Sequence, residues 1–238
     1  MAHISNVLGS IFPIQRVIDH AATHNIPVII DGAQAIAHEP LDVQALGADA
    51  YCFSGHKMYG PTGIGVCYMS DRVLNQASPV MFGGDMIETV KKNHTTFAPP
   101  PLKFEAGTPP ITEAIGLHAA IDYIETIGRH TIRDHELALT HYAFDRLSEI
   151  EGIEFLGTPT NRAAIISFNM AGIHPHDLGT ILDEDGVAVR VGHHCSQLTM
   201  TRFNVVASAR ASMGVYNTRP HIDRLVQALH TAREVFGL

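Results

Sequence analysis

The sequence contains only three cysteines, no run of lysines or arginines, and no apolar stretch approaching the length of a membrane span. Each shortage excludes something. Three thiols cannot all pair, and none lies in a Cys-x-x-Cys arrangement, so neither a disulfide framework nor a structural zinc site is expected and no metal ligands are assigned. Cys52 and Cys67 stand inside apolar, strand-like runs and read as small hydrophobes, which fits a reducing compartment. With 16 Lys and Arg against 24 Asp and Glu, the net charge is -8, and nothing offers a polyanion a basic surface. The first residues also lack a basic segment leading into an apolar one. The expectation is a soluble cytoplasmic protein with neither nucleic acid nor membrane as partner.

What the chain does have is the composition of a globular protein, 45% hydrophobic and 17% charged, and 238 residues that can bury one large core or two modest ones. Its sixteen histidines are scattered. His20, His24, His118, His130, His135 and His141 fall on helix faces or loops and read as surface residues.

The organising stretch is residues 51–66, YCFSGHKMYGPTGIGV. An apolar run breaks at Ser54-Gly55-His56, presents Lys57, and passes Gly60, Pro61, Gly63 and Gly65 before a second apolar run begins. A lysine on a tight turn between strands, held in a pocket with its pKa lowered by burial, can attack a carbonyl and form a Schiff base. A glycine-rich hairpin with an exposed lysine is the alternative this stretch leaves open. Asp31 bears on the choice, because it ends Pro27-Val28-Ile29-Ile30-Asp31, a short β-branched run that reads as a buried strand. Pyridoxal phosphate needs a carboxylate at its ring nitrogen to keep the pyridinium protonated as an electron sink. A strand-end Asp and a strand-end Lys can meet that cofactor from neighbouring strands.

Around these landmarks the pattern predicts a helix with Ile14, Val17, Ile18, Ala21 and Ala22 on one stripe, a strand ending at Asp31, a short helix over residues 42–46, and a strand over residues 49–53. Such alternation predicts a parallel α/β sheet, with ligands beyond the carboxyl ends of its strands. Residues 71–110 read as a long loop region with one hairpin. Helices follow over residues 111–127, with Ile111, Ala114, Ile115, Ile121 and Ile124 on one face, and over residues 129–148. Beyond lie strands at 153–156, 163–169, 187–191 and 208–213 and helices at 176–185 and 220–236, the last with Ile222, Leu225, Val226 and Leu229 inward. The division expected is residues 1–126 and 127–238, near the Gly128 break.

Cys195 differs from the other two thiols. It ends Arg190-Val191-Gly192-His193-His194-Cys195 in a polar loop just past a strand, where imidazoles or an arginine can lower a thiol's pKa toward neutrality and make a nucleophile.

The combination of IIDGAQ and FSGHKMYGPTGIG resembles the class V aminotransferases among the fold-type I pyridoxal phosphate enzymes. With RVGHHC, ARASMGVYNT and HISNVLG it is similar to the group II cysteine desulfurases of the SUF sulfur-mobilisation type, from His3 to the C-terminus. The fold this resemblance implies is the C-terminal half of a large α/β domain, to about residue 126, and a small α+β domain after it. The activity it implies is conversion of L-cysteine to L-alanine with a persulfide left on Cys195 for iron-sulfur cluster assembly. L-selenocysteine is the alternative substrate. A non-catalytic remnant, or a subunit needing a separate N-terminal half, is the alternative from another class. The resemblance implies that Lys57 joins the cofactor as a Schiff base, that Asp31 pairs with the ring nitrogen, and that Gln34 bonds the ring hydroxyl oxygen. Ser54 and His56 resemble the phosphate binders, and Thr108 resembles the residue that reaches the cofactor of the partner subunit in a homodimer. Asn6 and Arg210 resemble the pair that holds the substrate carboxylate, a task suited to a planar guanidinium. A sulfur-acceptor protein of the SUF system is the implied partner. Val191 and residues 196–200, SQLTM, depart from the commoner family sequence, and the family's portion ahead of the HxSN segment has no counterpart here.

Overall fold

The computed structural model describes all 238 residues as two compact units. One comprises Met1–His3 with Pro13–Gly128, the other Ile4–Phe12 with Arg129–Leu238. The short segment Ile4–Phe12 therefore belongs with the second unit, although sequence order alone had grouped it with the first. The reason is visible in its bonds: the buried Ser167 hydroxyl donates to the Val7 carbonyl at 2.6 Å, and the Ala163 amide donates to the Gly9 carbonyl at 2.8 Å. Gly9, at φ 68°, lies so close to the neighbouring chain that a Cβ there would stand 2.7 Å from the Ile165 carbonyl oxygen.

The first unit opens with α1 (Ile14–Thr23), whose Ile14, Ile18 and Ala21 are buried while Val17 and Ala22 face solvent. β1 (Ile29–Asp31) follows, then α2 (Val43–Leu46), capped by the Asp42 carboxylate accepting the Gln44 and Ala45 amides and stopped by Gly47 at φ 71°. β2 (Ala50–Ser54) pairs in parallel with β1, and β3 (Gly65–Met69) pairs with β2 in the opposite sense. The sheet is thus mixed rather than parallel throughout, because the turn joining β2 to β3 is short and returns the chain alongside itself instead of crossing over. Residues 71–110 are more ordered than the sequence suggests: α3 (Asp71–Gln76) precedes a hairpin of β4 (Ile87–Lys91) and β5 (His94–Phe97).

α4 (Ile111–Ile127) buries Leu117, Ala120 and Ile124, not the face expected. Ile111, Ala114, Ile115 and Ile121 are exposed, and of the predicted face only Ile124 is inside. The helix carries apolar residues around most of its circumference, so spacing alone could not choose the buried stripe. Its inner face backs the turn between β2 and β3. A Cβ at Gly116 would meet the Pro61 ring at 3.0 Å, and one at Gly60 would meet Leu117 at 3.2 Å.

The second unit holds α5 (Arg129–Ser148), β6 (Ile153–Phe155), β7 (Ile165–Met170), α6 (Pro175–Glu184), β8 (Arg190–Gly192), α7 (Gln197–Phe203), β9 (Ser208–Ser212) and α8 (Arg219–Phe236). The strands form one antiparallel sheet in the order β6-β7-β9-β8, and α5 and α6 both pack on α8. Its core includes Phe168, Leu147, Leu178, Leu182 and Leu229, all fully buried. Ile222, Leu225 and Val226 turn inward as their spacing predicts. α7 occupies residues read as loop, since seven residues are too few to show a helical period. No helix in the chain is long and apolar enough to cross a membrane.

Candidate active site

In the first unit the residues of interest gather where β1 and β2 end. The register sets Asp31 opposite Cys52, so the last residue of β1 and the end of β2 at Ser54 lie at the same, carboxyl, side of the sheet. Asp31 is exposed, and its Oδ1 accepts the Ala33 amide at 3.0 Å. Gly32 donates to the Cys52 carbonyl at 2.8 Å and presses on the Tyr51 ring, where a Cβ would come within 1.9 Å. Only glycine lets the chain turn here. Gln34, half-buried, lies in the turn that follows.

Ser54 leads into a 3-10 turn over Gly55–Lys57. The Gly55 carbonyl accepts the Met58 amide at 3.0 Å and the Gly60 amide at 3.1 Å, and its own amide donates to the Ile64 carbonyl at 2.9 Å. Met58 is buried, so the turn is pinned from within, and His56 and Lys57 project outward. Burial of the Lys57 amine, expected from the sequence, is not observed: Lys57 is exposed. The inward position of the turn is taken instead by Met58 and Gly55.

Two residues of this cluster carried no assignment in the sequence. Tyr51 is fully buried, and its hydroxyl lies 3.0 Å from His3 Nδ1. Burial raises the Tyr51 pKa, with the negative charges of Asp31 and Glu39 adding to it, so the phenol stays protonated. Burial lowers the His3 pKa. A neutral pair therefore supports the strand that carries Asp31. The sequence carried no signal for this pair, since His3 and Tyr51 meet only once the chain is folded. Thr108 sits elsewhere in the same unit, exposed, on a loop stitched by the Gly107 amide to the Gly84 carbonyl at 3.0 Å.

In the second unit Asn6 ties Arg210 to the loop that carries Cys195. Its side-chain amide donates to the His194 carbonyl at 2.5 Å, and its own carbonyl accepts from Arg210 at 2.8 Å. Arg210 lies on β9 directly opposite Arg190 on β8. Like charges set face to face in a sheet repel. Burial, then Arg190, push the Arg210 pKa down, while Cys195 pushes it up; its buried Nε has no partner. Two cationic side chains on directly paired residues suit an anion such as a carboxylate. Arg190 is a contributor the sequence did not reveal, because cross-strand register is not written in a single strand.

Cys195 is exposed at φ 58°, next to His194 at φ 53°. Two successive non-glycine residues in the left-handed region are unusual and mark a backbone held by its surroundings. The holding contacts are those of His194, whose buried Nε2 lies 3.0 Å from both the carbonyl and the hydroxyl of Ser208. Since a carbonyl only accepts, Nε2 carries the proton and Nδ1 is bare. Burial, helped by Arg210, lowers the His194 pKa to about 4, so the ring is neutral. Cys52 and Cys67, read as small hydrophobes within strands, do lie on β2 and β3, the first half-buried and the second exposed.

The aminotransferase class-V family model matches residues 1–225. The chain belongs to the aminotransferase class-V family. Among curated proteins it is 51% identical over 238 residues to a probable cysteine desulfurase of Staphylococcus epidermidis, and 50% identical over 235 residues to one of Halalkalibacterium halodurans. It spans 58% of the length of each while using 100% and 99% of its own. Two solved structures superpose closely. They are the cysteine desulfurase CsdA of Escherichia coli in its S-sulfonic acid form (TM-score 0.93, 36% identity, 98% of this chain and 58% of that one) and the apo cysteine desulfurase of Thermococcus onnurineus NA1 (TM-score 0.94, 36% identity, 100% and 59%). The fold is that of the fold-type I pyridoxal phosphate transferases, whose cysteine desulfurases and class-V aminotransferases use that cofactor. The donors at the ends of β1 and β2 suit it chemically. They offer a carboxylate for a pyridinium, an amide for a ring hydroxyl, a hydroxyl and an imidazole for a phosphate, and an amine for an aldehyde.

Proposed function

We propose that this chain carries the lysine and cysteine portion of a pyridoxal phosphate-dependent cysteine desulfurase of the SUF type. The observation that carries the reading is the placement of Asp31 and the Ser54–Lys57 turn at the carboxyl ends of two adjacent parallel strands. Residues 1–126 supply the cofactor side, Ile4–Phe12 excepted, and residues 127–238 supply the sulfur-accepting side.

When bound, the cofactor supplies an electron sink for the pair left on the substrate α-carbon. Asp31 would keep the ring nitrogen protonated, Gln34 would orient the ring hydroxyl, and Ser54 and His56 would bond the phosphate, with Thr108 serving the cofactor of the partner subunit in a homodimer. Lys57 would hold the cofactor through its aldehyde, take the α-proton of L-cysteine and later return a proton to Cα. Arg210 and Asn6 hold the substrate carboxylate. The Cys195 thiolate attacks Sγ of the substrate; the new S–S bond forms as the Cβ–Sγ bond breaks and Cβ gains a proton, giving L-alanine and a persulfide on Cys195. An acceptor protein then takes the terminal sulfur for iron-sulfur assembly in the cytoplasm.

In a form of the protein that binds the cofactor, borohydride is expected to fix it to Lys57, and replacing Cys195 with Ala is expected to leave that capture intact while lowering sulfur release by at least about 100-fold. Labelling of another lysine, or undiminished sulfur release from Cys195→Ala, would overturn the assignment. Comparing turnover of L-cysteine with L-selenocysteine separates a desulfurase from a selenocysteine lyase.

A further inference from the structure

We infer that Cys52 and Cys67 form a dithiol redox site that closes to an intramolecular disulfide across the sheet, independently of Cys195. The two residues are direct partners in the antiparallel β2–β3 ladder, so both side chains leave the same face. The Cys52 thiol lies 3.3 Å from Cys67 Sγ, and the Cys67 thiol is turned toward the Tyr68 carbonyl at 3.7 Å. Residues directly opposite in an antiparallel pair have Cα atoms about 4.5–5.5 Å apart, inside the roughly 4.4–6.8 Å span that disulfides occupy. Closing the sulfurs to a bond of about 2.05 Å then asks for side-chain rotation and little backbone movement.

Access agrees with the geometry. Cys67 is exposed and Cys52 half-buried, so a small oxidant reaches the pair from solvent. Burial, then the hydrogen bond and charge of Cys52, push the Cys67 pKa up to about 11, which keeps that thiol protonated and slow to react near neutral pH. The oxidant class is a small-molecule disulfide such as oxidised glutathione. One thiolate of the pair attacks it, forming a mixed disulfide and releasing one glutathione. The second thiol gives up its proton and attacks the protein sulfur of that mixed disulfide, releasing the second glutathione and closing the Cys52–Cys67 bond. Two protein thiols are oxidised and one glutathione disulfide is reduced to two thiols, with the two protons passing to the leaving sulfurs. The bond ties together the strands on either side of the Ser54–Lys57 turn.

The test uses the full chain with Cys195→Ser, so that the third thiol cannot contribute. After exposure to oxidised glutathione and alkylation of remaining thiols, trypsin cleaves after Lys57, between the two cysteines. The expected product is a pair of peptides joined through Cys52 and Cys67, two hydrogens lighter than their sum and separated by dithiothreitol. Adding Cys52→Ser or Cys67→Ser is expected to leave a stable glutathione adduct on the remaining thiol. Stable glutathione adducts with both cysteines present, or two alkylated thiols and no joined peptide, would overturn the inference.

Discussion

At the scale of single residues, His194 does its work by staying neutral. An imidazolium could still donate to Ser208, but it would be buried beside Arg210 and Arg190, which is why its pKa falls to about 4. The consequence for stability has a definite sign. Between pH 6.5 and 4 the unfolded chain binds the proton and the folded chain does not, so this contribution is complete above pH 6.5 and falls as the pH drops toward 4, by about 3 kcal/mol at most. Asn tolerates the left-handed backbone that His194 adopts and does not titrate. His194→Asn is therefore expected to show a smaller loss of urea midpoint between pH 7.5 and pH 5 than the parent. His3, whose pKa burial also lowers, contributes with the same sign in both proteins and cancels in the comparison. Equal pH slopes would contradict the assignment.

Gly32 is the second residue on which a local argument turns. A methyl group there collides with the buried Tyr51 ring, and neither neighbour can yield without disturbing the end of β1. Gly32→Ala is expected to lose about 1–3 kcal/mol by overpacking, read as a lower melting temperature. Gly47→Ala is a contrasting control, because its strain is left-handed backbone with open space around it. An unchanged melting temperature in Gly32→Ala would show that the ring moves freely.

At the scale of elements, β3 is the open edge of its sheet, with Val66 and Cys67 exposed. The other edge is different. Met1–His3 runs beside β1, with the Asp31 amide donating to the Met1 carbonyl and the His3 amide to the Asp31 carbonyl, both at 2.8 Å. Exposed edges recruit further strands, and a charge on the edge discourages this. The chain is expected to associate through this edge, and Val66→Lys to reduce that concentration-dependent association in sedimentation velocity. Association unaffected by the lysine would place the self-contact elsewhere. Within the sheet, Ile29 is 60% exposed, but Ile30 and Tyr51 are fully buried.

The same scale shows what a sequence can and cannot convey. Asp31 at a strand end, the glycine-framed turn at Lys57 and the inward stripe of α8 were legible because each depends on neighbours close in sequence. The stripe chosen on α4, the helix α7 and the pairing of Arg190 with Arg210 were not. The first had competing apolar faces, the second was too short for a period, and the third exists only once β8 and β9 are in register.

For the whole molecule, the residues proposed to meet the cofactor lie at the ends of β1 and β2, with Thr108 assigned to the partner subunit's cofactor, and none of them is assigned to stack on the ring's face. The chain spans 58% of its curated relatives. The expectation for the 238-residue chain alone is weak pyridoxal phosphate binding and little alanine production, measured by equilibrium titration and a desulfurase assay. Tight binding with brisk turnover would show that these residues suffice.

The path of Ile4–Phe12 has a consequence for how the molecule can be taken apart. The polypeptide passes from one unit to the other three times, after His3, after Phe12 and after Gly128, so the second unit is assembled from two separated stretches of chain. Val7, buried with Leu156 and Met200, is a structural part of that unit. Cutting the gene at Gly128 therefore does not produce two portable modules. A polypeptide of residues 129–238 would lack a piece of its own interior, and the same polypeptide mixed with residues 1–128 is expected to regain it through the nine residues Ile4–Phe12.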